Sequence, residues 1–504
     1  MNQTRISQES INAAVWAACD TFRGTVDSSI YKDYVLTMLF LKYVSDVWQD
    51  HYDSYKKEYA HAEPGLIEEL LKTERFVLPP RASFYALYKA RFEPGSGERI
   101  DKALHAIEDA NIAKLRDVFQ DISFNANKLG DEQQKNDILR HLLEDFAKPE
   151  LDLSPSRVGT LDVIGNAYEY LIKNFASTSG KKAGEFYTPP EVSELMARLM
   201  DPKEGEEICD PTCGSGSLLL KCGRLIRERT GSRRYALYGQ EAIGSTWALA
   251  KMNMFLHGED NHRVEWGDTI RNPKLLASDT SLRHFDIVVA NPPFSLEKWG
   301  HESAETDRFS RFRRGVPPRT KGDFAFILHM IETMKAGSGR MAVVVPHGVL
   351  FRGGAEGRIR QKLIEENLVD AVIGIPEKLF YGTSIPAAVL VFRKNKPDDS
   401  VLFIDASRSF QPGKNQNALR EEDLQRMLTT YAARLPVEKY ATLVALETIA
   451  GHEFNLNISR YVDSAASAMS VDMSEVRRER VELKKEWVGI EEEMAVYLKE
   501  LGYE

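Results

Sequence analysis

The sequence predicts an α/β fold: a largely parallel sheet covered by helices on both faces, with a helical region before it and a lone helix after it. Three observations lead there. Nearly continuous apolar runs at residues 286–290, 341–346, 369–375 and 387–392 suit strands buried on both faces. The segment 207–210 reads as a short strand that passes through a small-residue loop, 211–216, into an apolar helix start, the turn that faces ligands in doubly wound sheets. Before residue 157, apolar residues recur at helical spacing, first Ile11, Val15 and Trp16, then Val35, Leu39, Val44 and Val47.

Taken in order, residues 1–157 form a helical domain. The central α/β domain covers 158–410 and opens with a helix over 163–172. A Gly/Ser/Lys linker at 177–184 follows, expected to be mobile without ligand. Residues 411–470 are polar and read as an irregular segment. The chain ends in a helix over 472–501, within the last region, 471–504. There Val476, Leu483, Trp487, Ile490, Met494, Tyr497 and Leu501 keep heptad a/d spacing, with Arg480 interrupting one position. Such a seam either meets a partner or packs back on its own domain.

The loop Asp210-Pro211-Thr212-Cys213-Gly214-Ser215-Gly216-Ser217 carries the first chemistry. Gly214 and Gly216 let backbone approach a ligand closely, and the helix after them presents free N–H groups to a phosphate or a carboxylate. No Gly-Lys-Ser/Thr ending follows, which argues against ATP. Glu241 ends the next strand at the distance where an acid reaches a ribose, and Asp268 ends the third, where it could accept from an adenine amine. Either acid alone also reads as a solvated strand-end residue. Their order after strands of an alternating pattern is what favours a nucleotide-like cofactor.

The run 286–290 ends in Asn291-Pro292-Pro293-Phe294. The Asn291 side-chain oxygen and the Pro292 carbonyl, held by two stiff prolines, can accept both hydrogens of a planar –NH2 group, while Phe294 stacks on its ring. This suits direct attack of an amine on an electrophilic methyl group. As a lone tetrapeptide it also reads as a strand followed by a Pro-Pro turn.

Composition excludes more than it assigns. With 504 residues, 43% hydrophobic and 28% charged, the chain is an ordinary globular protein of more than one domain. Its densest early apolar run, 34–41, stops at Lys42, so no membrane span is expected. A polar amino terminus without a signal-peptide core points to the cytoplasm, as does the use of only four cysteines. Cys209 and Cys213 lack a second pair for zinc, and no metal is expected. The net charge of −9 does not suit a protein that grips duplex DNA unaided. Arg308, Arg311, Arg313, Arg314, Arg319 and Lys321, interleaved with Phe309 and Phe312 after Phe294, are the local exception. They read equally as a clamp on the strand beside an extruded base or as a solvated, mobile loop.

With these motifs together, the chain resembles the modification subunits of type I restriction-modification systems, which are adenine-specific DNA methyltransferases. The resemblance spans nearly the whole chain. It includes Gly184-Glu185-Phe186-Tyr187-Thr188-Pro189-Pro190, which looks like the family's additional cofactor segment, and the runs 348–356, 379–386 and 453–461. Cys213 stands where the family's loop often has Ala or Gly. The resemblance implies a Rossmann-like, S-adenosylmethionine-dependent methyltransferase sheet with an antiparallel strand in its last pair. It also implies a helical N-terminal domain that grips DNA and partner subunits, and a C-terminal helix that meets the specificity subunit. Double-stranded DNA, that subunit and a second copy of the modification subunit are thus the implied partners. Whether a motor-nuclease subunit joins stays open.

The expected arrangement places the cofactor's ribose on Glu241 and its adenine near Asp268, with the methionine end facing residues 214–216 and 186–189. A flipped adenine would enter the pocket of residues 291–294. Carbon-5 cytosine chemistry needs a nucleophilic Cys, usually after Pro, and no Pro-Cys dipeptide occurs. Amino-cytosine, RNA-base and protein-glutamine methylation stay chemically open, as does a non-catalytic assembly role.

Overall fold

The computed structural model describes residues 5–23, 26, 28–61, 65–178, 187–381, 383–414, 416–464 and 473–502. Helix formation at the amino end follows local rules. Ser7 caps Gln8–Ala18 by accepting from the Ser10 amide, and Asp131 caps Glu132–Phe146 by accepting from the Gln134 amide. The helix Ser28–Glu58 is buried nearly all round from Tyr31 to Asp46. It runs through the interior, packed by Glu132–Phe146, Leu161–Thr178 and Gly244–Leu256. Lys42, which ends the early apolar run, is tolerated inside because it pairs with Asp46 one turn on. Asp46 also accepts from the Tyr85 hydroxyl at 2.6 Å and the Leu153 amide at 2.7 Å. Of the residues expected in this core, Ile11, Val15, Val35, Leu39 and Val44 are buried, while Trp16 and Val47 are half-buried at its rim.

The strands are β1 Glu207–Asp210, β2 Ala236–Glu241, β3 His262–Trp266, β4 Leu276–Ser278, β5 Ser281–Leu282, β6 Ile287–Ala290, β7 Arg340–Pro346, β8 Val369–Gly374, β9 Ala387–Arg393, β10 Ser400–Asp405 and β11 Ala441–Ala445. β4 and β5 form a small hairpin, and the other nine make one sheet in the order β11-β10-β8-β9-β7-β6-β1-β2-β3. From β3 across to β7 every pairing is parallel. β9 lies antiparallel between β7 and β8, and β11 pairs antiparallel with β10. The chain therefore starts at β1, moves outward to β2 and β3, then returns to β6 on the other side of β1. That reversal opens a crevice at the strand ends between β1 and β6.

Alternate residues of the strands enter two cores. Ile208, Leu237, Ile287, Val289, Ala342 and Val344 face one; Cys209, Val288, Ala290, Met341, Val343 and Val345 face the other. The first core is continuous with that of the amino-terminal helices. Phe76 meets Phe255 edge-on at 5.3 Å, and Arg75 pairs with Asp260 at 2.5 Å, so the helical region sits directly on the β2–β3 side of the sheet.

The expectation of an irregular segment over 411–470 is corrected by the structure. Helix Glu421–Ala433 buries Leu424, Met427 and Tyr431 along one face, and its Arg420 and Asp423 form a reciprocal cap. β11 extends the sheet as a five-residue edge strand whose Leu443 faces outward. A short edge strand that is wet on one face has too little alternation to announce itself in sequence. The terminal helix spans Met473–Glu500, and Leu483, Trp487, Ile490, Met494 and Tyr497 are each more than half exposed along it. Its seam does not pack back on the described residues. No helix among the described residues is long and apolar enough to cross a membrane.

Candidate active site

The Gly loop is held at the carboxyl end of β1 by its neighbours. The Cys213 amide donates to the Gln240 carbonyl at 3.0 Å, fastening the loop to β2. Glu241, 6% exposed, accepts from the Gly214 amide at 3.0 Å and the Ile243 amide at 2.9 Å, so one carboxylate ties the loop to the turn after β2. Gly216 has φ +81°, and a Cβ there would stand 2.7 Å from Met254 Cε. A side chain at this position would be strained by the left-handed backbone, while the flexible end of Met254 would have to give way. The loop's other support is Asn253, which is fully buried and donates to the Ser215 carbonyl at 2.9 Å. Nothing in the local sequence marks Asn253: it sits mid-helix, and only the packing of Gly244–Leu256 against the loop gives it a role.

Asp210, 2% exposed, accepts from the Thr212 amide at 2.9 Å. Burial pushes its carboxyl up to about 8, and the Glu241 carboxylate nearby adds to the rise. The buried Glu241 carboxylate, joined by Asp210 once it ionises, is hostile to a phosphate and suits a ligand that brings positive charge. A methionine ammonium beside a sulfonium has that character, so the donor set fits S-adenosylmethionine and disfavours nucleoside phosphates. Ile243, 45% exposed beside Glu241, offers an apolar plate of the kind that covers an aromatic ring. It too was invisible in the sequence, where it is one apolar residue in a strand-end turn.

Asp268 is placed differently from a free acceptor. Its Oδ1 accepts from the Ile270 and Arg271 amides at 2.8 and 2.9 Å, and Oδ2 meets Arg271 at 3.2 Å. It organises the turn after β3, which Gln240 also ties by donating to the Gly267 and Asn272 carbonyls. The Gly267 amide donates to the Glu241 carbonyl at 2.9 Å, so the two acids end adjacent strands of one crevice.

Asn291 follows β6 on the other side of β1 from this pair. Its Nδ2 donates to Thr188 Oγ1 at 3.1 Å, while its Oδ1 is buried and has no hydrogen-bond partner among the described residues. Tyr187 and Pro189 are buried on either side of Thr188, and Pro190 begins the helix Pro190–Met200. Glu185 and Phe186, and most of the linker expected to be mobile, lie outside the described residues. Pro292 is buried, Pro293 half-buried, and Phe294 meets Phe380 edge-on at 5.8 Å. Behind them the Ser295 amide donates to Asp323 at 2.8 Å, and Asp323 pairs with Arg352 at 2.6 Å, which in turn pairs with Glu356. Tyr187 lies 5.9 Å from Tyr381. Phe380 and Tyr381 of one run therefore stand against Phe294 and Tyr187, and Arg352 and Glu356 of the other brace the turn after Phe294, which their spacing in the chain does not reveal.

The basic loop needs correction. Arg311 and Arg314 are each 3% exposed and cannot reach a phosphate. Arg311 pairs with Asp307 at 2.7 Å and donates to the Thr269 and Ile270 carbonyls. Arg314 pairs with Glu332 and Glu366. Phe312 is buried against Trp299, so this part of the loop is a packed wedge, neither a clamp nor a solvated arm. Arg308, Arg313 and Arg319 are exposed, although Arg313 meets Glu332 at 3.2 Å, and Lys321 is half-buried.

Residues 159–469 match the family model for N-6 DNA Methylase, and residues 11–146 match the HsdM N-terminal domain. The chain is 31% identical to the type I restriction enzyme MjaVII methylase subunit of Methanocaldococcus jannaschii, over 95% of this chain and 82% of that one. It is 30% identical to the MpnII methylase subunit of Mycoplasma pneumoniae, over 94% and 93% of the two chains. Among solved structures, the type I restriction-modification methyltransferase subunit from Streptococcus thermophilus aligns with TM-score 0.81 and 36% identity, over 91% of this chain and all of that one.

Proposed function

The chain belongs to the methylase subunits of type I restriction enzymes, and from that footing we propose that it methylates the exocyclic amine of adenine in double-stranded DNA. S-adenosylmethionine, when bound, supplies an electrophilic methyl group on sulfur. The observation that carries the reading is the Asn291 Oδ1: a buried acceptor without a partner among the described residues, at a strand end beside the crevice that holds Asp210 and Glu241. A buried acceptor left unpaired is costly, and an amine hydrogen would satisfy it. The Pro292 carbonyl would take the second hydrogen, leaving the amine lone pair directed at the methyl group.

Asp210, Thr212, Gly214, Ser215, Gly216 and Ser217 would hold the methionine end, together with Tyr187, Pro189, Pro190 and the backbone of Thr188, whose hydroxyl is turned to Asn291 instead. Glu241, Ile243 and Asp268 would flank the ribose and adenine. Phe294, already edge-on to Phe380, would line the ring of the extruded base. The residues mainly bring two reactants into line, which is where most of the rate would come from.

A net charge of −9 and the open heptad seam at 483–501 support dependence on a second polypeptide that reads the DNA sequence. The test is transfer of labelled methyl from S-adenosylmethionine to genomic DNA by the chain alone and with its specificity subunit, followed by nucleoside analysis. Methyladenine formed only with the partner, and abolished by Asn291→Ala with cofactor affinity kept, is the expected result. Normal turnover by that variant would sink the pocket, and label in RNA or protein would replace the substrate.

A further inference from the structure

We infer that Thr188 is a positioning residue for Asn291, holding its side-chain amide at the strand end where the target amine would arrive. The inference rests on the pocket assigned above and deepens it. An Asn amide has two orientations of nearly the same shape, and only its hydrogen-bond partners tell them apart. With Nδ2 toward the target, the pocket would offer a donor to an amine and lose its acceptor. In the structure Nδ2 is turned to Thr188 Oγ1, 3.1 Å away, and this leaves Oδ1 buried and without a partner among the described residues.

Thr188 is well placed to hold this arrangement. Buried Tyr187, against Tyr381, and buried Pro189, which leads into the helix Pro190–Met200, hold its backbone on both sides. A hydroxyl donates as well as accepts, so Thr188 fixes where the amide stands, and an amine hydrogen arriving at Oδ1 selects the end that it presents. The same residue thus joins the segment before Pro190–Met200 to the strand end that carries the chemistry, 103 positions apart in the chain.

The test uses the full chain with its specificity subunit and compares Thr188→Val, Thr188→Ala and Thr188→Ser. For Val and Ala, kcat at saturating S-adenosylmethionine and DNA should fall about three- to tenfold, the worth of one neutral hydrogen bond. Cofactor dissociation constants by calorimetry should move less, within about threefold. Thr188→Ser keeps the hydroxyl and should restore kcat to within roughly twofold of wild type. A loss confined to cofactor affinity, with kcat intact, overturns the proposal. So does a Ser variant as slow as Val, which would make the methyl group the important part. Asn291→Ala separates the two readings: if it turns over normally the pocket itself fails, whereas a dead Asn291→Ala beside a normal Thr188→Val removes only the role of Thr188.

Discussion

Glu241 and Asp210 are the residues whose chemistry the structure changes most. Because Glu241 accepts from two backbone amides, its loss would loosen the loop as well as remove the proposed ribose contact. Glu241→Ala should weaken S-adenosylmethionine binding about 10- to 100-fold by calorimetry, the worth of a charge-assisted hydrogen bond at roughly 1.5–3 kcal/mol. An unchanged affinity would remove the ribose role. Asp210 predicts a pH dependence. Its carboxyl is raised in the folded protein to about 8, chiefly by burial, while the unfolded chain titrates near 4. The folded state therefore holds the extra proton, and this stabilisation is complete below about pH 4 and lost as pH rises through about 8. Between pH 6 and 8.5 the Tm of the ligand-free protein should fall more steeply than that of Asp210→Asn. Parallel curves would mean that Asp210 is already ionised in the fold.

Among the elements, the loop between Phe294 and helix Asp323–Glu332 separates two kinds of arginine that look alike in sequence. Arg311→Ala strands Asp307 in the interior and frees the Thr269 and Ile270 carbonyls, and it should cost about 3–5 kcal/mol, read as a drop in Tm. Arg308 is exposed, its guanidinium 4.7 Å over Phe309. Arg308→Ala should leave Tm in place and reduce the salt dependence of DNA binding by about one counterion. If Arg311→Ala were neutral to stability, the packed-wedge description would be wrong.

For the whole molecule, the exposed apolar seam of the last helix and the net charge of −9 are the features behind the proposed dependence on a second polypeptide. Trp487→Glu with Ile490→Glu should abolish co-elution with the specificity subunit and leave cofactor affinity of the isolated chain untouched, since neither side chain touches the crevice. Retained co-elution would assign the seam to another contact. The amino-terminal helices share a core with one face of the sheet, so the seam rather than that junction is the exposed apolar surface for a partner.

Residues by themselves determined the fold class, the strand that ends in Asn291-Pro292-Pro293-Phe294, and the order of loop, acid, acid and pocket. Each is written locally, in nearly continuous apolar runs, a glycine turn and stiff prolines. The open C-terminal seam was legible as a pattern, but whether it folded back was not. Tertiary structure alone decided that Arg311 and Arg314 lie inside, that Asn253 supports the Gly loop, that residues 441–445 extend the sheet, and that Thr188 meets Asn291. Burial and pairing between segments tens to a hundred residues apart depend on which surfaces meet. Charge and periodicity in one stretch of chain carry no record of that.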